Sequence, residues 1–288
     1  SSGLVAKGNI FSRAAASSIQ ARAGGIIDNN LFVRNDGGLV GRTSSTPVPG
    51  GIEGYYSNNV VLELDWISPD RTECGGLGLN HIKDFTVENN IFTQVFNQEC
   101  AGGNGIGIGG AHEGIKHLII RNNIVYKMRR ALIACCNQED FNYSDKTVYV
   151  YGNSFQRYFL YSVTWNNYLL SMRQDDGDYS NHFDFKDNVY WRTDNPGKWF
   201  LSGTTEFNYD QWIAHVNETG SKAEQIVYSD PERNLETYQA SLGREATFEA
   251  FMAEARNQSK YNYRVEYTAK AVNNYIREGF EIEQCNTG

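Results

Sequence analysis

Apolar and polar positions along this chain repeat in blocks, and each block contains an Asn followed in most cases by an apolar residue. Asn30-Leu31 and Asn90-Ile91 are two examples. Successive blocks are separated by steps that range from 21 to 35 residues. Self-similarity at such a period predicts a solenoid, in which each block forms one coil. The recurring asparagines are Asn9, Asn30, Asn59, Asn90, Asn123, Asn153 and Asn188.

Two further apolar stretches accompany most of these asparagines. Residues 85–88 (FTVE) and 183–186 (FDFK) alternate apolar and polar side chains, which is typical of half-buried strands. Residues 76–79 (GLGL) and 105–109 (GIGIG) represent the other stretch, which we interpret as a strand stacked coil upon coil. Two or three short strands per coil, joined by turns, predict an all-β parallel β-helix over residues 1–205.

The recurring Asn has a structural role in this scheme. At a tight turn Asn tolerates left-handed backbone angles, and its amide can bond to the Asn of the coils above and below. The apolar residue that follows it, such as Leu31, is expected to fill the core.

Both ends of a solenoid need covering, because a terminal coil exposes strand edges and an apolar cross-section. The repeat stops near Phe207, and apolar residues then recur at helical spacing in residues 246–260 and 267–278. We therefore expect residues 206–288 to pack on the last coils as a C-terminal α-helical cap. The chain opens directly in front of its first repeat, so we expect a truncated solenoid whose cap lies upstream.

Charge and cysteine positions narrow the partners and the location. The formal net charge is −8, which disfavours nucleic acid and anionic membranes as partners. No apolar run approaches the roughly 18 residues that membrane insertion requires. Cys74 and Cys100 lie in two insertions, and we expect a disulfide between them, with two free thiols as the alternative. A disulfide favours a secreted, periplasmic or cell-surface protein.

Insertions and outward side chains predict a groove. The insertions at residues 62–75 and 93–104 lengthen adjacent coils on the same side, where they are expected to form the wall of a cleft. Alternation sends every second side chain of a strand outward, over a floor of glycines. The expected groove residues are Gln20, Arg22, Arg42, Gly78, Asn80, His81, Gly107, Gly109, His112 and Glu113. The aromatic residues Trp66, Tyr143, Trp165 and Tyr168 are candidates to stack on sugar rings.

The coil pattern resembles the right-handed parallel β-helix of polysaccharide lyases, some glycoside hydrolases and phage tailspikes. Residues 18–25 (SIQARAGG) and 28–32 (DNNLF) are similar to the segment around the catalytic arginine of alginate lyases and chondroitinase B-like lyases, with Arg22 at the matching position. In that family a His-Gly pair follows the arginine, where this chain has Ala23-Gly24. In that family the catalytic base is a lysine about one coil before the arginine, and here it would fall at or before Ser1. The family's calcium-binding acidic residues would also lie upstream. The resemblance implies a right-handed solenoid that cleaves an acidic polysaccharide.

A lyase of this class would act on a polysaccharide or oligosaccharide by β-elimination. A cation neutralises the uronate carboxylate, a base removes the C5 proton, and an acid protonates the departing oxygen. Arg22 and Arg42 are the candidates for neutralisation, and Tyr143 is the candidate acid. His81 or His112 is the candidate base. The residues expected to bind the substrate are Gln20, Arg42, Asn80, Glu113, Trp66 and Trp165.

Alternatives remain open at this point. Arg22 can instead pair with Asp28 or Asp36 on the surface, and His81 can be a turn residue bonded to backbone. A glycoside hydrolase would need two carboxylates roughly 5 to 9.5 Å apart, and no pair stands out in the sequence. A non-catalytic glycan-binding or adhesin module would need the groove alone. No metal-ligand spacing is present, and residues 175–178 (DDGD) either bind calcium or are solvated, with solvation favoured.

Overall fold

The computed structural model comprises a solenoid and a C-terminal helical region. The residues that it describes are 3–15, 17–41, 49–65, 75–95, 103–109, 114–135, 146–157, 168–172, 178–193 and 197–284.

The strands form three sheets, which we name A, B and C, and each coil adds one strand to each sheet in that order. Strands that neighbour each other in a sheet come from consecutive coils and run parallel, apart from one antiparallel strand at the end of sheet C. Each backbone group in a strand interior therefore finds its hydrogen-bond partner in the coil above or below. The fold is a parallel β-solenoid, as the repeat predicts.

Sheet A consists of β1 (Leu4–Lys7), β4 (Gly24–Asp28), β7 (Ile52–Ser57), β10 (Ile82–Glu88), β13 (Leu118–Arg121), β16 (Val148–Tyr151) and β19 (Phe183–Lys186). Sheet B consists of β2 (Ile10–Ser12), β5 (Leu31–Val33), β8 (Val60–Leu64), β11 (Ile91–Val95), β14 (Ile124–Tyr126), β17 (Ser154–Arg157) and β20 (Val189–Arg192). Sheet C consists of β3 (Ser17–Gln20), β6 (Gly37–Gly41), β9 (Gly75–Leu79), β12 (Asn104–Gly109), β15 (Arg130–Cys135), β18 (Leu170–Met172), β21 (Phe200–Ser202) and β22 (Thr205–Phe207).

The turn from sheet A to sheet B explains the recurring Asn. It has two residues, of which the first is left-handed, with φ between 52° at Asn29 and 65° at Gly8. The second residue is the recurring Asn. The Oδ1 of Asn90 accepts hydrogen bonds from the backbone N and the Nδ2 of Asn59, at 2.8 and 3.1 Å. The predicted amide ladder is confirmed, but the left-handed angle belongs to the residue before each Asn.

The C-terminal region divides into two parts. Helix α1 (Tyr209–Val216) lies against the last coil, where the ring of Trp212 stacks on Phe200 at 4.8 Å between centroids. The other helices are α2 (Leu235–Ser241), α3 (Phe248–Arg256) and α4 (Ala269–Gly279), and we call residues 226–282 the arm. Among the described helices, none is long and apolar enough to cross a membrane.

The arm does not cap the last coils, and that part of the expectation is wrong. It runs along the outer face of sheet B, from Tyr228, bonded to Ser154 at 2.8 Å, to Glu249, bonded to Arg13 at 2.6 Å. Most outward side chains of the middle coils of sheet B are apolar, such as Leu31, Val60 and Ile124, and they form one cluster with the apolar residues of the arm helices. Arg277 of α4 also donates to the backbone O of Asn89 at 2.8 Å. The arm is therefore attached both by apolar burial and by hydrogen bonds to the A-to-B turns.

Candidate functional site

The segments that flank sheet C vary in length, whereas the A-to-B turn does not. Segments from sheet B to sheet C are as short as residues 34–36 and as long as residues 158–169. Segments from sheet C to sheet A range from residues 80–81 to residues 136–147. Both predicted insertions connect a strand of sheet B to a strand of sheet C, so they enter sheet C at the same edge. Variation in length concentrated around one sheet is typical of the functional face of a repeat protein.

The outward column of sheet C contains Gln20, Gly78 and Gly107, three of the residues that alternation along the strands predicts to point outward. Parallel register aligns the outward positions of successive coils. Gln20 is exposed, and the glycines leave a flat, partly exposed surface further along. Ser171 and Leu201 in the later coils are buried. The exposed or partly exposed positions among these are therefore Gln20, Gly78 and Gly107. The register positions of the column are Gln20, Gly78, Gly107, Ile133, Ser171 and Leu201, with the backbone of Val40 between Gln20 and Gly78.

Arg22 lies exposed in the turn that follows β3, the sheet C strand of the first coil. Its Nη2 donates to Oε1 of Gln20 at 3.4 Å, and no ion pair joins it to a carboxylate of the described residues. Asp28 is bound instead by Ser57 at 3.0 Å and by Asn58 at 2.9 Å. The alternative in which Arg22 pairs with Asp28 or Asp36 is therefore not what this structure contains. A guanidinium without a carboxylate partner remains available to an anionic ligand.

The side chain of Asn80 lies over Gly109 of the neighbouring strand, in space that a larger residue at position 109 would fill. Asn80 follows Leu79, which pairs with Ile108, so it lies beside Gly109. A Cβ built on Gly109 would lie 2.0 Å from Oδ1 of Asn80. The amide of Asn80 is partly exposed and has no hydrogen-bond partner within the described part of the chain. It is therefore a polar group placed on the open face and free to bind a ligand.

This contact gives a prediction for Gly109→Ala. The added methyl group occupies the position of the Asn80 amide, so we expect the variant to lose about as much ligand affinity as Asn80→Ala, roughly tenfold. The double variant should lose no more than either single variant, because both changes remove the same contact. Isothermal titration with an acidic oligosaccharide, the class of ligand that the sequence predicts for this groove, measures these losses. Gly75→Ala is the matched control, since a Cβ there has 4.0 Å of clearance. Fully additive losses would contradict the coupling.

His81 does not lie on the open face. It occupies the turn from sheet C to sheet A with φ 54°, and its side chain is only 5% exposed. Its backbone O accepts a hydrogen bond from the N of Ile52 at 2.6 Å. The structure places His81 as the backbone-bonded turn residue that the sequence left open as the alternative.

Several predicted residues lie outside the described ranges. They are Arg42, Trp66, His112, Glu113, Tyr143 and Trp165, together with Cys74 and Cys100. Their roles and the disulfide stay predictions. Tyr168 is described, and its hydroxyl bonds to Glu206 at a short distance. Cys135, which is also described, carries an exposed thiol that is not in a disulfide, in the strand next to Gly109.

Sequence reasoning missed a polar network at the last coils. The carboxylate of Asp178 accepts hydrogen bonds from Ser202 at 2.6 Å and from the backbone N of Ser180 at 2.9 Å. His215 of α1 binds the same carboxylate at 2.9 Å. Burial would raise the pKa of Asp178, but the hydrogen bonds from Ser202 and Ser180 and the nearby His215 lower it overall. Asp178 is exposed and also takes part in the attachment of α1, whereas Asp175 and Asp176 lie outside the described residues, so the choice between calcium binding and solvation of the loop stays a prediction.

The same network does not form a serine nucleophile triad. The Oγ of Ser180 lies 3.1 Å from Nε2 of His215, and Asp178 contacts that same nitrogen. In a triad the serine and the carboxylate bind opposite nitrogens of the imidazole. Within the described ranges, no group of three or more His, Cys, Asp or Glu side chains is arranged to hold a metal ion.

The fold and this face define a class, a parallel β-solenoid protein in which segments of variable length flank the partly exposed outer face of sheet C. No family model, no curated protein and no solved structure matches the chain.

Proposed function

We propose that this protein binds an acidic polysaccharide along the outer face of sheet C and cleaves it as a lyase. The observation that carries the proposal is Arg22, an exposed guanidinium without a carboxylate partner in the described structure, with the partly exposed Gly78 and Gly107 two and three coils further along sheet C. Arg binds carboxylates with two parallel hydrogen bonds, and glycine leaves room for a sugar ring. Asn80 supplies a hydrogen-bonding group two strands away, about 10 Å along the face.

The proposed reaction is β-elimination at a uronate. Arg22 and Arg42 bind the carboxylate and stabilise the negative charge that develops on it when the C5 proton leaves. We assign the base to His112 in preference to His81, because the His81 side chain is buried. Tyr143 donates a proton to the departing O4 as the C4–O4 bond breaks and the C4–C5 double bond forms. The products are a new non-reducing end with an unsaturated uronate and a chain with a free hydroxyl.

The finer features of the fold belong to the same proposal. Parallel crossovers are right-handed in about 98% of cases, so we assign a right-handed solenoid. We assign the C-terminal cap to α1, because Trp212 is fully buried against the last coil. An extracellular or periplasmic location follows from a polysaccharide substrate.

The test is cleavage of a panel of uronate polymers, followed by the ultraviolet absorbance of the unsaturated product. We expect Arg22→Ala to lower kcat/KM by about 10² to 10³, the usual loss when one charge-stabilising donor is removed. Arg244→Ala is the matched control, because Arg244 is exposed on the arm, away from sheet C. Arg22→Lys should recover only part of the activity, since it keeps the charge without the bidentate geometry.

A second readout reports binding on this face directly. Cys135 is exposed in the strand beside Gly109, so a bound polysaccharide should slow its reaction with a maleimide. Cys135→Ser identifies which labelling belongs to this thiol. New reducing ends without the absorbance change would replace the lyase by a hydrolase. Protection of the thiol without any cleavage would replace it by a binding module, and neither signal would overturn the proposal.

A further inference from the structure

The outer face of sheet A presents an apolar column that no described element covers. Successive coils align its outward positions in register. Val5 is 63% exposed, Ile26 39% and Tyr55 53%, which is unusual for three consecutive positions of a solvated sheet. We call this column the stripe. Its residues are Val5, Ile26, Tyr55, Thr86, Ile119 and Tyr149.

The outer face of sheet B shows what a covered apolar face looks like in the same molecule. There, two neighbouring outward columns are apolar, one represented by Leu31 and Val60 and the other by Val33 and Leu62. All four side chains are fully buried, because the arm helices pack on them. Two columns are wide enough for a helix, which is about 10 Å across with its side chains. The stripe is a single column, so it is too narrow for a helix of that kind.

Charged residues border the stripe on both sides, and the structure pairs them internally. Asp84 binds Nδ1 of His117 at 2.8 Å, and Glu88 binds Arg121 at 2.6 Å. Glu53 also forms a close ion pair with Lys83. Because Glu88 and Glu53 are paired with cations and Asp84 is hydrogen-bonded to the His117 ring, the border offers hydrogen-bonding groups without a strong field of either sign. An acidic polysaccharide gains little from such a surface.

At the end of the stripe, aromatic rings and a fixed carboxylate lie together. The ring of Tyr149 lies 5.5 Å from the His117 ring and 5.9 Å from the Tyr151 ring, between centroids. Asp184 is bound by Lys146 at 2.8 Å and by the hydroxyl of Tyr151 at a short distance. Burial raises the pKa of Tyr151, and the hydrogen bond to Asp184 adds to that effect. Tyr151 therefore stays neutral and holds the carboxylate in place.

We propose that the stripe is a binding site for a neutral, extended glycan chain. Sugar rings have apolar faces that stack on Tyr and Ile side chains, and their hydroxyl groups bond to fixed carboxylates such as Asp84 and Asp184. An extended peptide gains less here, because the backbone groups of sheet A are already paired between coils and cannot add a strand. The stripe faces away from sheet C, so this site is independent of the proposed lyase face.

The experiment is affinity electrophoresis of the 288-residue chain in gels that contain neutral β-glucan, xylan or mannan. We expect retardation by at least one of them, and we expect Tyr55→Ala combined with Tyr149→Ala to weaken binding about tenfold. Ile26→Lys should weaken it as well, by placing a charge on the stripe. Tyr261→Ala is the matched control, because that ring is 92% exposed on the arm and does not lie on sheet A.

Two further results decide the matter. Ile26 and Tyr55 are exposed and Tyr149 is partly exposed, so the variants should keep the unfolding midpoint of the parent, and a large drop would mean that their effect is on folding. Arg22→Ala should leave binding to neutral glycans unchanged. Absence of retardation by every neutral glycan, or equal loss in Tyr261→Ala, overturns the proposal. Loss in Arg22→Ala alone would assign the binding to sheet C instead.

Discussion

Asn90→Ala is expected to lower the free energy of unfolding by about 3 to 5 kcal/mol, because several buried polar groups lose their partners at once. The Asn90 amide accepts from Asn59 and donates to the backbone O of Tyr56 at 2.8 Å and to Oδ1 of Asn123 at 2.9 Å. The site is completely buried, so water cannot replace these bonds without opening the turn. Urea unfolding followed by circular dichroism measures the loss.

Asn89→Gly is the matched control for this prediction. Asn89 precedes Asn90, has φ 56° and occupies the position where other coils have Gly8 and Gly152. Glycine adopts this angle without steric cost, so we expect a change below about 1 kcal/mol. Equal losses in Asn89→Gly and Asn90→Ala would mean that the turn angle, and not the amide ladder, determines stability at this position.

Glu218→Gln is expected to remove a pH dependence of stability worth about 3 kcal/mol. Glu218 lies at the end of the ladder, where its carboxylate accepts from Nδ2 of Asn188 at 2.9 Å and from the hydroxyl of Tyr190 at 3.0 Å. Burial raises the pKa of Glu218 to about 7, and these hydrogen bonds only partly oppose the effect of burial. The folded state therefore binds a proton more tightly than the unfolded state, whose pKa is near 4.5. A tenfold difference in proton affinity between the two states corresponds to about 1.4 kcal/mol of stability.

The direction follows from the raised pKa. Below pH 4.5 the group is protonated in both states and costs nothing, and stability falls as the pH rises from there to about 7. Glutamine keeps an acceptor for Asn188 and carries no charge. The stability of the variant relative to the parent should therefore increase from about pH 5 to about pH 8, as measured by urea unfolding at each pH. Glu245→Gln, on the exposed surface of the arm, should show no such trend. A flat difference for Glu218→Gln would contradict the buried charge.

The sequence contains enough to predict the coil, for a physical reason. An Asn that must bond to the Asn of the next coil sets the register, and alternation then determines that Gln20 and Asn80 point outward. His81 departs from this pattern because its left-handed angle turns the chain at the end of the strand. A left-handed angle is expected mainly at Gly or Asn, so the alternation of apolar and polar residues gives no reason to expect it at His81.

The sequence analysis predicts the arm on the last coils and not on sheet B, although the sequence contains a signal for its true position. Residues 31–33 (LFV), 60–62 (VVL) and 124–126 (IVY) are continuous apolar runs, which indicate strands buried on both faces. Helical spacing in the arm shows that one side is apolar but not which surface it covers. The match between the two becomes visible only when the outward columns of sheet B are aligned.

The arm also changes how the solenoid should unfold. Coils of a repeat protein contact only their neighbours, so a terminal coil can open without the rest. Here Arg13 of the first coil binds Glu249 of the arm, 236 positions later in the chain, and Arg34 binds Glu236, 202 positions later. A fluctuation that opens the first coil must also release the arm from the other coils. We therefore expect amide hydrogens of β2 and β5 to exchange with solvent at rates close to those of the central coils, as a single cooperative unit and not as a fraying end.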